Sequence, residues 1–329
     1  MSAGSLRNSK KSMESKNRGK DACSRCKKEP VAELCYSGEK LCQSCFLEFF
    51  QRRARKTIRI NRLHNERDNT AVALSGGKDS AVALYILHEL TKKEKKSKLT
   101  AISIDSGIGD FQKKGLDAAR KLCDTLEIPH HVYSFKDELG ITMQDIMNKS
   151  RKLENPAPAC SYCGVLRRRV LNQKAKELGI TKMATGHNMD DEIQAGMMNF
   201  IRGDMDRMSR MGAYVGSIRD ERFVPRIKPL RDCPENEVRL YAQLLDIPFH
   251  SGRCPYSGET FRKTVREAID TIDRKYPGSK FQMLKSIDRL TEVTRKEQTG
   301  KISACTICGE PSSQETCRFC EIRKKLGID

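Results

Sequence analysis

"AVALSGGKDSAVALYILHEL" (residues 71–90) passes from an apolar run, through a turn of glycine, serine, lysine and aspartate, into a second apolar run. The first run reads as a buried strand and the second as a helix, so the turn lies at a helix N-terminus. Backbone N–H groups there lack intrahelical partners and the helix dipole adds positive potential, which together make an anion site. The turn lacks the G-x-x-x-x-G-K-[ST] pattern of loops that act at a γ-phosphate. Gly76 and Gly77 let the backbone bend into a nest. Ser75 and Ser80 add hydroxyls, Lys78 adds a charge, and Asp79 can help to hold Mg²⁺ against phosphates.

The same rhythm continues outward. "TAVAL" (70–74), "LTAISID" (99–105), "HHVYSF" (130–135) and "KMATGH" (182–187) read as buried strands. "SAVALYILHELTKK", "KKGLDAARKLCDTLE" and "GVLRRRVLNQKAKELG" between them read as helices, as does "PENEVRLYAQLLD" at 234–246. This alternation predicts an α/β fold, a doubly wound parallel sheet with helices on both faces. Ligands of such sheets sit beyond the C-terminal strand ends, where the strand order reverses. Composition divides the chain into a disordered basic tail (1–21), a cysteine-paired segment with a basic helix (22–66), the α/β domain (67–255), a helical extension (256–302) and a second cysteine-paired segment (303–329).

The 329 residues carry a formal charge of +19 and are 37% hydrophobic, enough for a core. No apolar run approaches the roughly eighteen residues of a membrane span, so a soluble protein with no membrane partner is expected. A basic excess of this size points to a polyanion, most often nucleic acid, although a merely basic surface remains open. With 8 Tyr, 11 Phe and no Trp, stacking on bases is not advertised. Residues 1–21 lack the apolar centre of a secretory signal, and an organelle transit peptide is the weaker alternative. A cytoplasmic location follows as the expectation.

The fourteen cysteines fall into groups. In a reducing compartment, paired C-x-x-C knuckles indicate metal or redox chemistry rather than disulfides. Cys23, Cys26, Cys42 and Cys45 form one quartet and Cys305, Cys308, Cys317 and Cys320 another, each suited to a structural Zn²⁺. The sheet is thus expected to be flanked by N- and C-terminal zinc ribbons, with Cys35 a spectator and Cys123 and Cys233 core thiols. In "FLEFFQRRARKTIRINRLH" (46–64) the phenylalanines read as core rather than stacking platforms. Its arginines and lysine form either a solvated face or phosphate contacts, and phosphate contact is favoured beside a zinc knuckle.

Ser75-Gly76-Gly77-Lys78-Asp79-Ser80 resembles the S-G-G-x-D-S loop of the PP-loop ATP pyrophosphatase superfamily. The resemblance implies ATP as substrate, with Mg²⁺, cleaved between its α- and β-phosphates to leave an adenylated product. It carries over onto Ala73 and the loop as ATP-binding positions. "ISIDSG" (102–107) matches the strand end whose backbone near Ile104 would read adenine. "ATGHNMDDEIQ" (184–194) matches a later one, with Gly186 near the nucleotide. Asp190 and Asp191 become candidates for Mg²⁺ or acid–base work, Asp191 preferred, against the alternative of a helix N-terminal charge patch. "IKPLRDCPENEV" (227–238) resembles the Pro-Leu turn and helix that follow in the superfamily.

Cys160 and Cys163 stand in "NPAPACSYCGVLRRR" and Cys254 alone in "SGRCPYSG", with no zinc partner pair. A helix beginning near Gly164, with Arg167, Arg168 and Arg169, would favour thiolates at Cys160 and Cys163. Together with the quartets, the SGGKDS loop and ATGHNxDD, these cysteines resemble those of the tRNA 2-thiouridine synthetase family across residues 22–329. The resemblance implies that Cys160, Cys163 and Cys254 hold a [4Fe–4S] cluster whose fourth iron stays open to carry sulfide. A persulfide on Cys163 or Cys254, a third zinc, or plain structural thiols are the alternatives. It implies an ATP-dependent tRNA sulfurtransferase that adenylates the position-2 carbonyl of a uridine, the anticodon wobble uridine being favoured. Lys78 or Arg167 would stabilise the α-phosphate. The sulfur donor would be sulfide or a ubiquitin-like thiocarboxylate protein, and the assembly a homodimer. Cytidine 2-thiolation, amide-forming PP-loop ligation and a non-catalytic zinc-ribbon RNA-binding protein are the competing readings.

Overall fold

The computed structural model describes residues 22–94, 96–215, 222–258, 260–297 and 303–328. The expected tail (1–21) and the 298–302 end of the expected helical extension lie outside them. The chain opens with an antiparallel hairpin, β1 (Ala32–Leu34) and β2 (Glu39–Leu41), followed by α1 (Gln43–Ile60). The central sheet uses β3 (Asn69–Ala73), β4 (Lys98–Asp105), β5 (His130–Ser134), β6 (Lys182–Ala184), β7 (Tyr214–Val215) and β8 (Arg226–Ile227). Its order is β5-β4-β3-β6-β8-β7, parallel except for β7 against β8. Strand order reverses between β3 and β6, the kind of switch point at which open α/β sheets bind ligands.

Alternation along β3 sorts its side chains between two cores. Val72 and Leu74 enter one with α2 (Lys78–Thr91), α3 (Gly109–Leu126) and α9 (Glu235–Leu244); Ala71 enters the other with α6 (Ala159–Glu177). Such a two-sided sheet leaves no polar face, so its strands read as continuous apolar runs. The minor helices α4 (Phe135–Leu139) and α5 (Met143–Ser150) cover the β5 side. α7 (Met189–Ile201), α8 (Met205–Ser209), α10 (Phe261–Lys275) and α11 (Ser279–Glu297) enclose a third core around Met189, Ile193, Met208 and Ile287. A second hairpin, β9 (Ser303–Ala304) and β10 (Pro311–Ser312), precedes α12 (Arg318–Leu326), whose Ile322 and Leu326 join the α6-side core.

Three expectations need correction. β5 is an edge strand of half-exposed residues rather than a buried one, because nothing pairs on its outer side. β6 stops at Ala184, so Thr185, Gly186 and His187 form a connection rather than strand. α6 begins at Ala159, capped by Pro158, and not near Gly164. Proline tolerates a helix start because its missing N–H has no partner to lose there. The expected role of the α1 phenylalanines holds, with Phe46 and Phe50 fully buried. One α1 arginine is internal: Arg53 Nη1 pairs with Glu237 Oε2 at 2.6 Å and Nη2 donates to the Tyr36 hydroxyl at 2.6 Å. That cluster fastens the first cysteine segment to α9, so Arg53 makes no outward phosphate contact.

Candidate active site

The loop after β3 closes on itself. Ser75 N donates to Ser80 Oγ at 3.1 Å, and the Ser80 hydroxyl donates to Gly77 O at 3.0 Å. Gly76 has φ +77°, and a Cβ there would lie 1.9 Å from Gly115 O on α3, so only glycine fits. From β6, Gly186 approaches so closely that its Cβ would sit 2.5 Å from Ser80 N. These two contacts hold the loop as a fixed turn, with its glycine N–H groups at the start of α2. Ala73 ends β3 beneath it, and Ile104 lies buried near the end of β4.

Charged groups converge on this turn. Lys78 Nζ lies 2.8 Å from both Asp79 Oδ2 and Glu235 Oε1. Burial lowers the Lys78 pKa, but the Asp79 and Glu235 carboxylates outweigh it and hold the ammonium charged. Asn188 Nδ2 donates to Asp79 Oδ1 at 3.0 Å, while its Oδ1 caps α7 by accepting from Asp191 N at 3.1 Å. Asp191 faces Arg262 at 3.3 Å and keeps 32% of its side chain exposed. Although part of its side chain is exposed, surrounding protein pushes its carboxyl up to about 6, Arg262 opposes this, and Asp79 and Glu235 add to it. Asp190, by contrast, is committed to the scaffold. It accepts from Glu235 N at 2.7 Å and pairs with Lys280 Nζ at 2.6 Å.

The segment carrying Cys254 docks on the same loop. His250 N donates to Gly76 O at 2.7 Å, and its ring meets Phe111 edge-on at 5.5 Å. Cys254 and Cys163 then both pack against the α6-side core. Cys160 and Cys163 occupy the first turns of α6, inside the helix instead of ahead of it. Arg167 Nη2 reaches Cys163 Sγ at 3.2 Å and Ser106 Oγ at 3.4 Å, whereas its Nε is buried without a partner. The expected thiolate-favouring environment does not extend to Cys160. Although Cys160 is exposed, surrounding protein pushes that thiol up, reinforced by Cys163 and Cys254, with Arg167 and Arg262 only partly offsetting.

At both ends, four cysteines draw their sulfurs within 4.8 Å of one another: Cys23, Cys26, Cys42 and Cys45, and Cys305, Cys308, Cys317 and Cys320. Among the described residues no third such group forms, so the sulfurs of Cys160, Cys163 and Cys254 are not all within that distance of one another. Cys35 is exposed outside the first quartet, and Cys123 and Cys233 are buried in the core.

A PP-loop domain family matches residues 48–271, about two thirds of the chain. A tRNA 2-thiolation protein NcsA from Haloferax volcanii is 36% identical, covering 92% of this chain and 98% of its own. The chain belongs to the PP-loop tRNA 2-thiolation family. Cytoplasmic tRNA 2-thiolation protein 1 of Aspergillus niger is 33% identical, covering 88% of this chain and 83% of its own. The solved U34-tRNA thiolase NcsA of Methanococcus maripaludis, with its [4Fe–4S] cluster, superimposes with a TM-score of 0.81. It is 38% identical over 94% of this chain and 97% of that one. Asn188, Glu235, His250 and Arg262 also converge on the loop and its neighbours, and sequence reading passed over them. Asn188 was legible as the N-cap three residues before Asp191; the other three come from distant segments.

Proposed function

We propose that this protein is an ATP-dependent tRNA sulfurtransferase that converts a tRNA uridine, the wobble uridine, to 2-thiouridine. The observation that carries the reading is the His250–Gly76 bond, which seats the Cys254 segment against the phosphate loop. ATP's phosphates would rest on the N–H groups and hydroxyls of Ser75–Ser80. Lys78 and the unpartnered Nε of Arg167 would face the α-phosphate. Asp79 and Asp191 would hold Mg²⁺, or Asp191 would take part in proton transfer. Attack of the uracil O2 on the α-phosphorus breaks the α–β phosphoanhydride bond, releases pyrophosphate and leaves AMP on the base. AMP then departs as sulfur enters at C2. The target base must be splayed out of its loop to reach such a crevice.

Three cysteines without a fourth partner suit a polynuclear cluster, in which each binds a different iron. Cys160, Cys163 and Cys254 would hold it, with Arg167 donating to the Cys163 sulfur. When bound, a [4Fe–4S] cluster would supply the site at which incoming sulfur is carried. Each terminal quartet would hold one structural Zn²⁺. Tetrahedral Zn–S bonds near 2.3 Å require sulfurs about 3.8 Å apart, and Cys26–Cys42 at 3.4 Å and Cys308–Cys317 at 3.6 Å fit. The sulfur source is sulfide or a ubiquitin-like thiocarboxylate protein, the location cytoplasmic and the assembly a homodimer. No helix among the described residues is long and apolar enough to cross a membrane. Mass spectrometry of nucleosides from tRNA of a deletion strain tests the reading. Loss of 2-thiouridine derivatives is expected; their persistence unchanged would sink it. Cys160→Ala, Cys163→Ala and Cys254→Ala should each abolish thiolation while retaining ATP binding.

A further inference from the structure

Several arginines packed into this fold are given a carboxylate: Arg53 has Glu237, Arg231 has Glu192 and Asp288, and Arg169 has Glu310. Arg168 and Arg226 are not. Neither makes a hydrogen bond or ion pair among the described residues. Arg168 lies on α6, its Nη1 folded back to 3.3 Å from where a Gly164 Cβ would be, over the turn that carries Cys163. Arg226 opens β8 in register with Met183 of β6, and so stands beside the strand end that delivers Gly186 to the nucleotide loop. The chain before it is fastened to α6: Val224 N donates to Asn172 Oδ1 at 2.9 Å, and Asn172 Nδ2 to Arg222 O at 3.1 Å.

The neighbours of this pair are more cations. Loss of hydration pushes the half-buried Arg226 guanidinium down to about 10, with Arg168 as the second cause. Arg168, although exposed, is pushed down by surrounding protein, then by Arg207 and Arg167, with only the Cys163 thiol opposing. Uncompensated like charges cost stability in the free protein, so an anion from outside is the natural complement. ATP does not need this place, since its phosphates have Ser75–Ser80 and Lys78 at β3, while Arg226 stands on β8, beyond β6.

We propose that Arg168 and Arg226 form a binding site for a backbone phosphate of the RNA, gripping the strand whose splayed base enters between Ser80 and Cys163. The proposal rests on the RNA reading above. A phosphodiester offers two non-bridging oxygens to planar guanidinium forks, and such contacts position a strand without reading its sequence.

The test uses the full-length protein and tRNA, with affinity measured over a range of salt. Arg226→Met and Arg168→Met should each weaken tRNA binding about tenfold, the worth of one charge-assisted contact. The log–log salt slope should become shallower by about 0.7, the single-strand value, for each phosphate no longer held. The RNA-free variants should melt at a higher temperature than wild type, because a repelling charge has gone; iron content and ATP-analogue binding should not change. Arg226→Lys should recover part of the affinity. Unchanged tRNA affinity and slope would overturn the site, as would a lowered melting temperature. Loss of iron or ATP binding with tRNA affinity intact would reassign the guanidiniums to the cluster or the nucleotide. Wild-type protein that fails to bind tRNA would overturn the site together with the functional reading.

Discussion

Single residues show how little freedom the site has. A methyl group on Gly76 meets a carbonyl oxygen at 1.9 Å and sits at a φ of +77° that side chains avoid. Gly76→Ala should therefore destabilise the protein by about 3 kcal/mol or more, seen as a lower denaturation midpoint, and abolish ATP binding. Asp191 is the residue-scale switch. Its carboxyl is raised from 3.8 to about 6, so the folded state disfavours the charged form. The resulting penalty is absent below about pH 4, grows as pH rises towards 6 and is complete above it. Asp191→Asn should raise the melting temperature at pH 7.5, with the gain shrinking as pH falls through 6. If Asp191 moves a proton in the reaction, thiolation by this variant falls by about 10²-fold or more. The glycines and Asp191 were legible in the sequence because each belongs to a short local motif. The scaffold role of Asp190 was not, since Lys280, ninety positions away, claims it.

At the scale of elements, charges join helices whose apolar faces are modest. Glu192 on α7, 2% exposed, pairs with Lys228 at 2.6 Å and with Arg231, which also grips Asp288 on α11. Glu192→Ala leaves Lys228 without a partner and takes one carboxylate from Arg231, which keeps Asp288 and Asp232, and should cost about 3–5 kcal/mol. Chemical denaturation would measure this, and a change below about 1 kcal/mol would mean that the network relaxes freely. Helix α6 shows where element reading failed. Its apolar periodicity begins only after Gly164, yet its backbone turns from Ala159, because the prolines before it end extended chain and Tyr162 is buried against Ser150. Cys160 and Cys163 thereby sit one helical turn apart on a rigid element instead of on a loop. The edge position of β5 was equally hidden, since strand order is a property of the assembled sheet.

The whole molecule gathers three remote parts of the chain: the segment around His250 and Cys254 docks on the loop at 75–80 and shares a core with the start of α6. His250 N holds Gly76 O, so Cys254 follows four residues after an anchor on the loop, and nucleotide bound there is expected to shield it. A non-hydrolysable ATP analogue should slow alkylation of Cys254 in cluster-free protein, followed by mass spectrometry, while leaving Cys35 labelling unchanged. Equal labelling with and without the analogue would contradict that shielding. The sequence alone determined the α/β class, the phosphate loop and both cysteine quartets. These depend on spacings of a few residues, within which local backbone geometry leaves few alternatives. Tertiary structure alone decided that His250 docks the Cys254 segment on the loop, that Glu235 clamps Lys78, and that Arg168 and Arg226 have no carboxylate partner among the described residues. Those are encounters between segments tens to hundreds of positions apart, brought together by burial of apolar faces on both sides of one sheet.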